Sequence, residues 1–365
     1  MSADILNNLN PGIESLHPYE PGRSIDEVVA EFGHDDVVKL ASNENPLGAS
    51  PKALSILSEL KGDLHLYPDG NGTKLKEEIA NHENVSFKNI IIGNGSNEIL
   101  ELAARAFLNP DTSSIASKHA FAVYKIVTQS SGASLIEVPT CNWGHDLKSF
   151  DDYLENNTRV IFIANPNNPT GTYNSHEEVY SLLKKVSSSV LVVLDCAYFE
   201  YVTKEDYVKP IDLLNEFDNL LITKSFSKIH GLASIRVGYG IASPSLIEVL
   251  NRIRQPFNVN TLAQAMASVA INDNKHIRKS VELNSKEYEF LFNKLSELGL
   301  ECIPSVGNFI TFKGDFIGKE MFNSLMQKGI IVRSVDLYDM KDFIRVTIGT
   351  EAENLKFIKA LEELL

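Results

Sequence analysis

The chain has 365 residues, 43% of them hydrophobic, and a formal net charge of −14. A chain of this length can bury a large core in one domain or two. Its charge argues against a general nucleic-acid or anionic-membrane binder, because like charges repel, so an anionic ligand would need a local basic pocket. Three cysteines without CxxC spacing, Cys141, Cys196 and Cys302, support neither a disulfide framework nor a metal site.

The first forty or so residues contain scattered prolines and glycines before a helix-like segment from Ile25 to Phe32. This pattern is typical of an arm that lies on another surface. The sequence starts without a basic region followed by an apolar one, and no apolar run approaches the length that spans a bilayer. We therefore expect a soluble, cytoplasmic protein.

The central part of the chain alternates short β-branched runs with amphipathic segments. The runs Arg159–Ala164, Val190–Asp195 and Leu220–Thr223 are apolar on both faces, which predicts buried parallel strands. The segments Glu98–Phe107 and His176–Lys185 have helical periodicity. Strands that alternate with helices predict a sandwiched α/β sheet with right-handed crossovers.

The pattern changes after Pro256. A long amphipathic stretch from about Thr261 to Leu298 precedes three strand candidates, Asn308–Phe312, Gly329–Arg333 and Phe343–Ile348, and together they predict a smaller α+β domain. The predicted division is an N-terminal arm and small-domain segment (1–43), a large α/β domain (44–255) and a small α+β domain (256–365).

A cluster of hydroxyl and basic side chains follows the strand that ends near Thr223. Ser225, Ser227, Lys228 and Arg236 lie within a dozen residues that are otherwise too apolar for a surface loop. A solvated lysine in a basic turn is the simpler interpretation, but such a cluster calls for an anion, and an amine near other cations loses its proton more easily and becomes a nucleophile.

The Ser-Phe-Ser-Lys sequence with an arginine eight residues later resembles the cofactor-lysine motif of fold-type I aminotransferases. Further segments are similar to the histidinol-phosphate aminotransferase family, so the resemblance spans nearly the whole chain: Leu16–Gly22, Leu40–Gly48, Tyr67–Gly70, Gly329–Arg333 and Phe343–Gly349. The resemblance implies a fold-type I pyridoxal-phosphate-dependent transferase, with a three-layer α/β/α large domain and a smaller α+β C-terminal domain. It also implies that Lys228 forms a Schiff base with pyridoxal 5′-phosphate, whose phosphate is held by Ser225, Ser227 and Arg236.

The loop from Asn165 to Gly171 follows a predicted strand, where α/β sheets bind ligands, although an Asn/Pro/Gly run alone indicates only a turn. By resemblance, Asn168 and Tyr198 donate hydrogen bonds to the 3′ oxygen of the pyridine ring, and Asp195 pairs with the ring nitrogen. A carboxylate there keeps the nitrogen protonated, so the ring can accept electrons. Family members commonly have Asp-Glu-Ala-Tyr at this point. Cys196 departs from that pattern, and we interpret it as a small core residue.

The segment Gly93–Glu98 joins a strand at Ile90–Ile92 to a helix, and free amides at a helix N-terminus bind phosphate. Ser96 and Asn97 are therefore candidates for the cofactor phosphate. A dinucleotide site is the alternative, but Glu98 replaces the third glycine of that motif. Position within the family pattern makes Phe121 the residue that stacks on the pyridine ring, with an ordinary core phenylalanine as the alternative.

The resemblance also assigns the substrate contacts. Arg345 would bind the α-carboxylate of glutamate or 2-oxoglutarate, because a guanidinium matches a carboxylate with two charge-assisted hydrogen bonds. Arg333, with Tyr19, would bind the substrate phosphate or the distal carboxylate of glutamate, and Asn43 belongs to the same substrate site. Tyr67 would reach the cofactor phosphate of a neighbouring subunit, which implies a homodimer with shared active sites.

The predicted reaction is transamination between histidinol phosphate and 2-oxoglutarate, as in histidine biosynthesis. Alternatives are an aminotransferase for another phosphorylated ketone or an aromatic amino acid, a phospho-amino-acid decarboxylase, and a non-catalytic pyridoxal-phosphate-binding regulator; the lack of a basic patch argues against the last. His230 and Ser234 stand where relatives often have Tyr and Gly. The segment from Val335 to Met340 is more acidic than expected beside an anionic substrate.

Overall fold

The computed structural model describes residues 8–14, 16, 22–34, 36–57, 60 and 64–365. Many helices begin at the residues that capping rules favour: Ser24 and Ser175 each start a helix through a capping box with a glutamate three residues on. The helices are α1 (Ile25–Phe32), α2 (Pro51–Ile56), α3 (Thr73–Glu83), α4 (Ser96–Phe107), α5 (Val123–Ser130), α6 (His176–Lys185), α7 (Pro210–Leu213), α8 (Pro244–Ile253), α9 (Thr261–Ala270), α10 (Asn274–Glu297), α11 (Gly318–Gln327) and α12 (Glu351–Glu362).

The strands form two main sheets. They are β1 (Val38–Lys39), β2 (Ile90–Gly93), β3 (Ser113–Ser117), β4 (Ser134–Val138), β5 (Thr140–Cys141), β6 (Gly144–His145), β7 (Thr158–Ala164), β8 (Leu191–Asp195), β9 (Leu220–Ser225), β10 (Gly238–Ala242), β11 (Glu301–Ile303), β12 (Phe309–Lys313), β13 (Ile330–Ile331), β14 (Arg333–Ser334) and β15 (Phe343–Thr347). The larger sheet has seven strands in the order β2-β10-β9-β8-β7-β3-β4, and the smaller has four in the order β11-β12-β15-β14.

The three predicted buried strands correspond to β7, β8 and β9, which run parallel to one another in the middle of the larger sheet. Every residue of β8 and β9 is buried, which explains why these runs are apolar on both faces. One hydrophobic cluster packs on each face of the sheet, in the sandwiched arrangement that the sequence predicts. β10 runs antiparallel to its neighbours β2 and β9.

The C-terminal part differs from the sequence prediction in two places. The predicted strand Gly329–Arg333 is divided: β13 pairs with β1 from the N-terminal part, whereas β14 pairs with β15. The amphipathic stretch forms two helices: α9 ends at Ala270, and Asp273 caps the start of α10 by accepting from the His276 amide. The periodicity of apolar residues indicates that both helices have an apolar face, but it does not reveal the break between α9 and α10.

The predicted domain division places α9 with the small domain. In the structure α9 packs against α2 and α3, and its apolar side chains belong to the cluster on one face of the larger sheet. By contrast, Leu291 and Leu295 near the end of α10 belong to the cluster of the smaller sheet. This packing favours a boundary within α10 over one at residue 256. None of the helices in the described residues combines the length and apolarity that crossing a membrane requires.

Candidate active site

A single cavity of about 210 Å³ lies beyond the carboxyl ends of β7, β8 and β9, where the loops after parallel strands converge. It is also lined from the side of the smaller sheet by Arg333 and Arg345. Thirteen of the fifteen predicted site residues line it: Asn43, Ser96, Asn97, Phe121, Asn168, Asp195, Tyr198, Ser225, Ser227, Lys228, Arg236, Arg333 and Arg345. Residues more than 300 positions apart in sequence therefore meet in one place.

Lys228 lies in the tight turn after β9. Its Nζ donates to the main-chain carbonyl oxygen of Ser42 at 2.9 Å and lies 5.5 Å from the centre of the Tyr198 ring. The turn closes on Gly231, whose φ of +67° and whose contact with Gly48 leave no room for a side chain. The amine is thereby directed into the cavity from a rigid turn.

Asp195 is the last residue of β8 and is buried. One carboxylate oxygen accepts from the Tyr124 hydroxyl and the other from the Thr223 hydroxyl, both at 3.0 Å. Burial raises the pKa of Asp195, and the hydrogen bonds from Tyr124 and Thr223 oppose that rise. A buried carboxylate of this kind is completed by a cationic N–H partner in the cavity, such as a protonated pyridine nitrogen.

A chain of hydrogen bonds joins the two parts of the molecule across the cavity. Asn43, which has a left-handed φ of 55°, donates through Nδ2 to the Tyr198 hydroxyl at 2.9 Å. Arg345 donates to the Asn168 side-chain oxygen and, at 2.8 Å, to the carbonyl oxygen of Ala41. The Nε of Arg345 is buried and has no hydrogen-bond partner in the described part of the chain, so the guanidinium retains capacity for an anion.

The amino end of α4 forms an anion cradle with the segment after β9. The Nη1 of Arg236 donates to Ser227 Oγ at 3.4 Å, and a side chain at Gly95 would lie 2.5 Å from the Arg236 guanidinium. Ser96 begins the helix, so its amide belongs to the free donors of a helix start. Glu98 is directed away: its carboxylate accepts from the amide of Asn94 and from Asn258.

Two predicted residues do not line this cavity. Tyr67 is 81% exposed and stacks on Phe257, with ring centres 4.6 Å apart. Within one chain it therefore does not reach the site, as its predicted role toward a neighbouring subunit requires. Tyr19 lies outside the described residues.

The structure adds residues to the site that local sequence patterns indicate weakly or not at all. Thr223 lies two residues before Ser225 on β9, so strand alternation could have placed it on the same face. Tyr124 and Ser42 meet the site through long-range packing that no local pattern reveals. Tyr338 also lines the cavity, from the turn that follows β14.

Cys196, His230 and Asp339, which lie at the departures from the family pattern, do not line the cavity. Cys196 is fully buried in the core of the larger sheet, and burial raises the pKa of its thiol, which suits a core residue. His230 is buried with its ring 4.8 Å from Phe226. In the acidic segment, Asp339 pairs with Lys118 at 2.7 Å, and this ion pair lowers the pKa of Asp339.

The fold and the site define an aminotransferase. Residues 35–361 match the family model for class I and II aminotransferases, and the chain belongs to this family. The Histidinol-phosphate aminotransferase 2 of Pseudomonas fluorescens is 48% identical over 367 residues, covering 100% of this chain and 99% of that protein.

Two solved structures share the fold. Histidinol-phosphate aminotransferase from Sinorhizobium meliloti, in complex with pyridoxal-5′-phosphate, gives a TM-score of 0.89 at 24% identity and covers 98% of each chain. L-threonine-O-3-phosphate decarboxylase from Porphyromonas gingivalis gives 0.80 at 22% identity, covering 90% of this chain and 99% of that one. The predicted fold-type I architecture is thereby confirmed, and the second likeness shows that the fold alone does not choose the reaction.

Class I and II aminotransferases use pyridoxal phosphate, which is the cofactor of this chain. The cavity fits it on three observations: a buried carboxylate at Asp195, an anion cradle at Ser96 and Arg236, and a lysine amine at Lys228. No group of three or more metal-ligating side chains among the described residues is placed to hold a metal ion.

Proposed function

We propose that the chain is a histidinol-phosphate aminotransferase. It exchanges an amino group between histidinol phosphate and 2-oxoglutarate, and in the biosynthetic direction glutamate aminates imidazole-acetol phosphate on the route to histidine. The full-length similarity to a histidinol-phosphate aminotransferase supports this substrate pair. The observation that carries the proposal is the pairing of Arg333 with Arg345 on adjacent strands, both lining the cavity that Lys228 enters.

Two neighbouring guanidinium groups can bind a substrate that has two anionic groups, such as glutamate. Residues directly opposite each other on antiparallel strands have side chains on the same face, about 5 Å apart at Cβ. Arg345, with a buried Nε that lacks a partner in the described structure, would bind the α-carboxylate of glutamate. Arg333, with Tyr19, would bind either the distal carboxylate of glutamate or the phosphate of histidinol phosphate, because a guanidinium fork fits both anions.

Bound pyridoxal phosphate supplies an aldehyde carbon that receives the amino group and a ring that accepts electrons from the substrate. Lys228 would hold it covalently, and its amine, once released, would move the proton of the substrate α-carbon. Asp195 would keep the ring nitrogen protonated. Tyr198 and Asn168 would orient the 3′ oxygen, and Asn43 holds Tyr198 through its 2.9 Å hydrogen bond.

The remaining residues orient the cofactor. The phosphate would be held by residues that all line the cavity: Ser96, Asn97, Ser225, Ser227 and Arg236. Phe121 lines the same cavity and would stack on the pyridine ring; it forms a T-shaped contact with Tyr124 at a centre-to-centre distance of 5.8 Å. Together these residues would orient the cofactor toward Lys228.

The test is a half-reaction panel on the cofactor-loaded enzyme. The protein is converted to its pyridoxamine form and mixed with imidazole-acetol phosphate, other phosphorylated ketones and aromatic keto acids, while return of the cofactor absorbance is followed. We expect imidazole-acetol phosphate to react with the highest kcat/KM. Carbon dioxide release from a phospho-amino acid without an oxo-acid acceptor would instead establish a decarboxylase. Borohydride reduction and peptide mapping should place the cofactor on Lys228.

We further infer a homodimer in which Tyr67 reaches the cofactor phosphate of the partner. Tyr67 is 81% exposed and Phe257, its stacking partner, is 44% exposed, so this aromatic pair presents apolar surface to a second molecule. Sedimentation should give a dimer. In mixed dimers of the Lys228→Ala and Tyr67→Ala chains, one site per dimer is intact, so activity should exceed that of either parent; the absence of such recovery would refute shared sites.

A further inference from the structure

Tyr338 belongs to the cavity although it has no place in the aminotransferase chemistry above. It ends a short 3-10 turn, Asp336–Tyr338, that begins two residues after β14. Its side chain is 6% exposed, and it lines the cavity together with Phe121 and Arg333. Phe121 and Tyr338 also both line a second, neighbouring cavity. The two aromatic side chains therefore form a common wall between the two spaces.

The position of Tyr338 is fixed by contacts with the loop after β3. The Nδ1–H of His119 donates to the Tyr338 carbonyl oxygen at 2.7 Å. Beside this bond, Lys118, the residue before His119, forms a 2.7 Å ion pair with Asp339, the residue after Tyr338. The turn also packs into a buried apolar cluster that includes Val335 and Met340. Because both loops are tied together, the Tyr338 ring is a preorganised surface of the site.

We infer that Tyr338 is a specificity-determining residue that packs against the imidazole ring of the phosphorylated substrate. This inference rests on the proposed function. Arg333 lies five residues before Tyr338 and lines the same cavity, so a substrate whose phosphate is bound by Arg333 brings its remaining groups close to the tyrosine. A heteroaromatic ring gains from contact with an aromatic side chain, whereas glutamate has no ring to offer. Tyr338 thus favours one of the two amino donors over the other.

The test compares Tyr338→Phe and Tyr338→Leu in single-turnover half-reactions of the holoenzyme. Histidinol phosphate, glutamate and phenylalanine are the amino donors. Aromatic contacts of this kind contribute about 0.5–1.5 kcal/mol, so Tyr338→Leu should lower kcat/KM for histidinol phosphate by roughly 2- to 12-fold and leave that for glutamate nearly unchanged. Tyr338→Phe should stay near the wild-type ratio. Equal losses for both donors in Tyr338→Leu would overturn the inference.

Binding gives a second measurement that does not depend on turnover. In the borohydride-reduced holoenzyme, which cannot react, calorimetry should show weaker binding of histidinol phosphate to Tyr338→Leu by the same factor. Tyr288→Leu, on α10, removes a half-buried tyrosine that does not line the cavity, and we expect it to leave the donor ratio unchanged. A shift of the ratio in this control equal to that in Tyr338→Leu would mean that lost packing, not ring contact, sets the preference.

His119 provides an independent variant if Tyr338→Leu folds poorly. His119→Ala removes the hydrogen bond to the Tyr338 carbonyl and should lower the histidinol phosphate to glutamate ratio, while His119→Asn, whose Nδ2 can replace that donor, should restore it. Failure of the asparagine to restore the ratio would remove His119 as a positioning residue for Tyr338. If the wild-type holoenzyme does not use histidinol phosphate at all, the proposed function itself fails, which is distinct from a failure of the Tyr338 inference.

Discussion

Asp195 lies buried at the end of a strand, and its carboxylate accepts hydrogen bonds from two hydroxyl groups. A carboxylate removed from water favours its neutral form, and the Tyr124 and Thr223 hydroxyls compensate only in part, so the pKa of Asp195 is raised. A cationic ring nitrogen would reverse this balance. Asp195 therefore lowers the stability of the cofactor-free protein, whereas in the loaded protein it would bind the cofactor's ring nitrogen.

Asp195→Asn should separate these two effects. In the loaded enzyme a neutral amide cannot keep the ring nitrogen protonated, and we expect kcat to fall roughly a thousandfold or more. In the cofactor-free protein the stabilisation linked to a raised carboxyl pKa is present below the unfolded-state pKa and lost as the pH rises through the folded-state pKa. At pH 7 the cofactor-free variant should thus unfold at the same temperature as the wild type or higher. A large loss of stability with unchanged kcat would contradict both expectations.

Arg333 and Arg345 are neighbours with different predicted ligands. Arg345→Ala should impair every α-carboxylate donor but spare the half-reaction of histidinol phosphate, which has no carboxylate at its reacting carbon. Arg333→Ala should impair histidinol phosphate and glutamate together and leave alanine almost unaffected, at a cost of about 2–4 kcal/mol in transition-state binding. Stopped-flow half-reactions measure each ratio. An unchanged ratio of histidinol phosphate to alanine in Arg333→Ala would place the phosphate site elsewhere.

The turns that follow the strands position the residues of the active site. The segment after β9 returns tightly enough that a Cβ at Gly231 would lie 2.0 Å from the Gly48 carbonyl oxygen, in a left-handed conformation. Asn45, near Gly48, donates to the carbonyl oxygen of Ile229 at 2.7 Å. The N-terminal segment and the lysine turn therefore hold each other in place.

Gly231→Ala tests this contact, and Gly299→Ala is its matched control. Both glycines have positive φ, +67° and +76°, but a side chain at Gly299 would meet nothing within 4 Å. Each variant bears the backbone cost of about 1 kcal/mol, and Gly231→Ala alone also forces the two segments apart. We expect greater loss of stability and weaker cofactor retention in Gly231→Ala, measured by thermal unfolding and dialysis. Equal behaviour of the two variants would show that the close approach is not needed.

In the molecule as a whole, two buried histidines should make the folding stability depend on pH under acidic conditions. Burial lowers the pKa of His145 to about 4 and that of His230 to about 3. Both must stay neutral in the folded state, whereas in the unfolded chain they gain protons near pH 6.5. Their contribution is fully present above that pH and is lost as the pH falls toward the folded-state values.

The free energy of unfolding should consequently fall by up to about 1.4 kcal/mol per pH unit for each of these histidines between pH 6 and about pH 4. His230→Tyr removes one titrating group and should flatten this slope, as followed by urea unfolding at several pH values. An unaltered slope in His230→Tyr would mean that His230 does not remain neutral when folded.

The buried strands and most helices could be predicted from local sequence patterns. Strands such as β8 are apolar on both faces because the sheet is covered twice, and that signal is local. Resemblance to aminotransferase motifs also predicted Lys228, Asp195 and the two arginines as site residues. Thirteen of the predicted residues line one cavity for this reason.

Which distant segments meet could not be predicted from local patterns and is seen only in the folded chain. The predicted strand Gly329–Arg333 divides between two sheets because β1, nearly 300 residues earlier, pairs with its first part. Tyr338 joins the cavity through a hydrogen bond from His119, 219 residues away in sequence, and Ser42 meets Lys228 across 186. Local patterns encode which face of an element is buried, but not its partner, because the partner is chosen by packing across the whole chain.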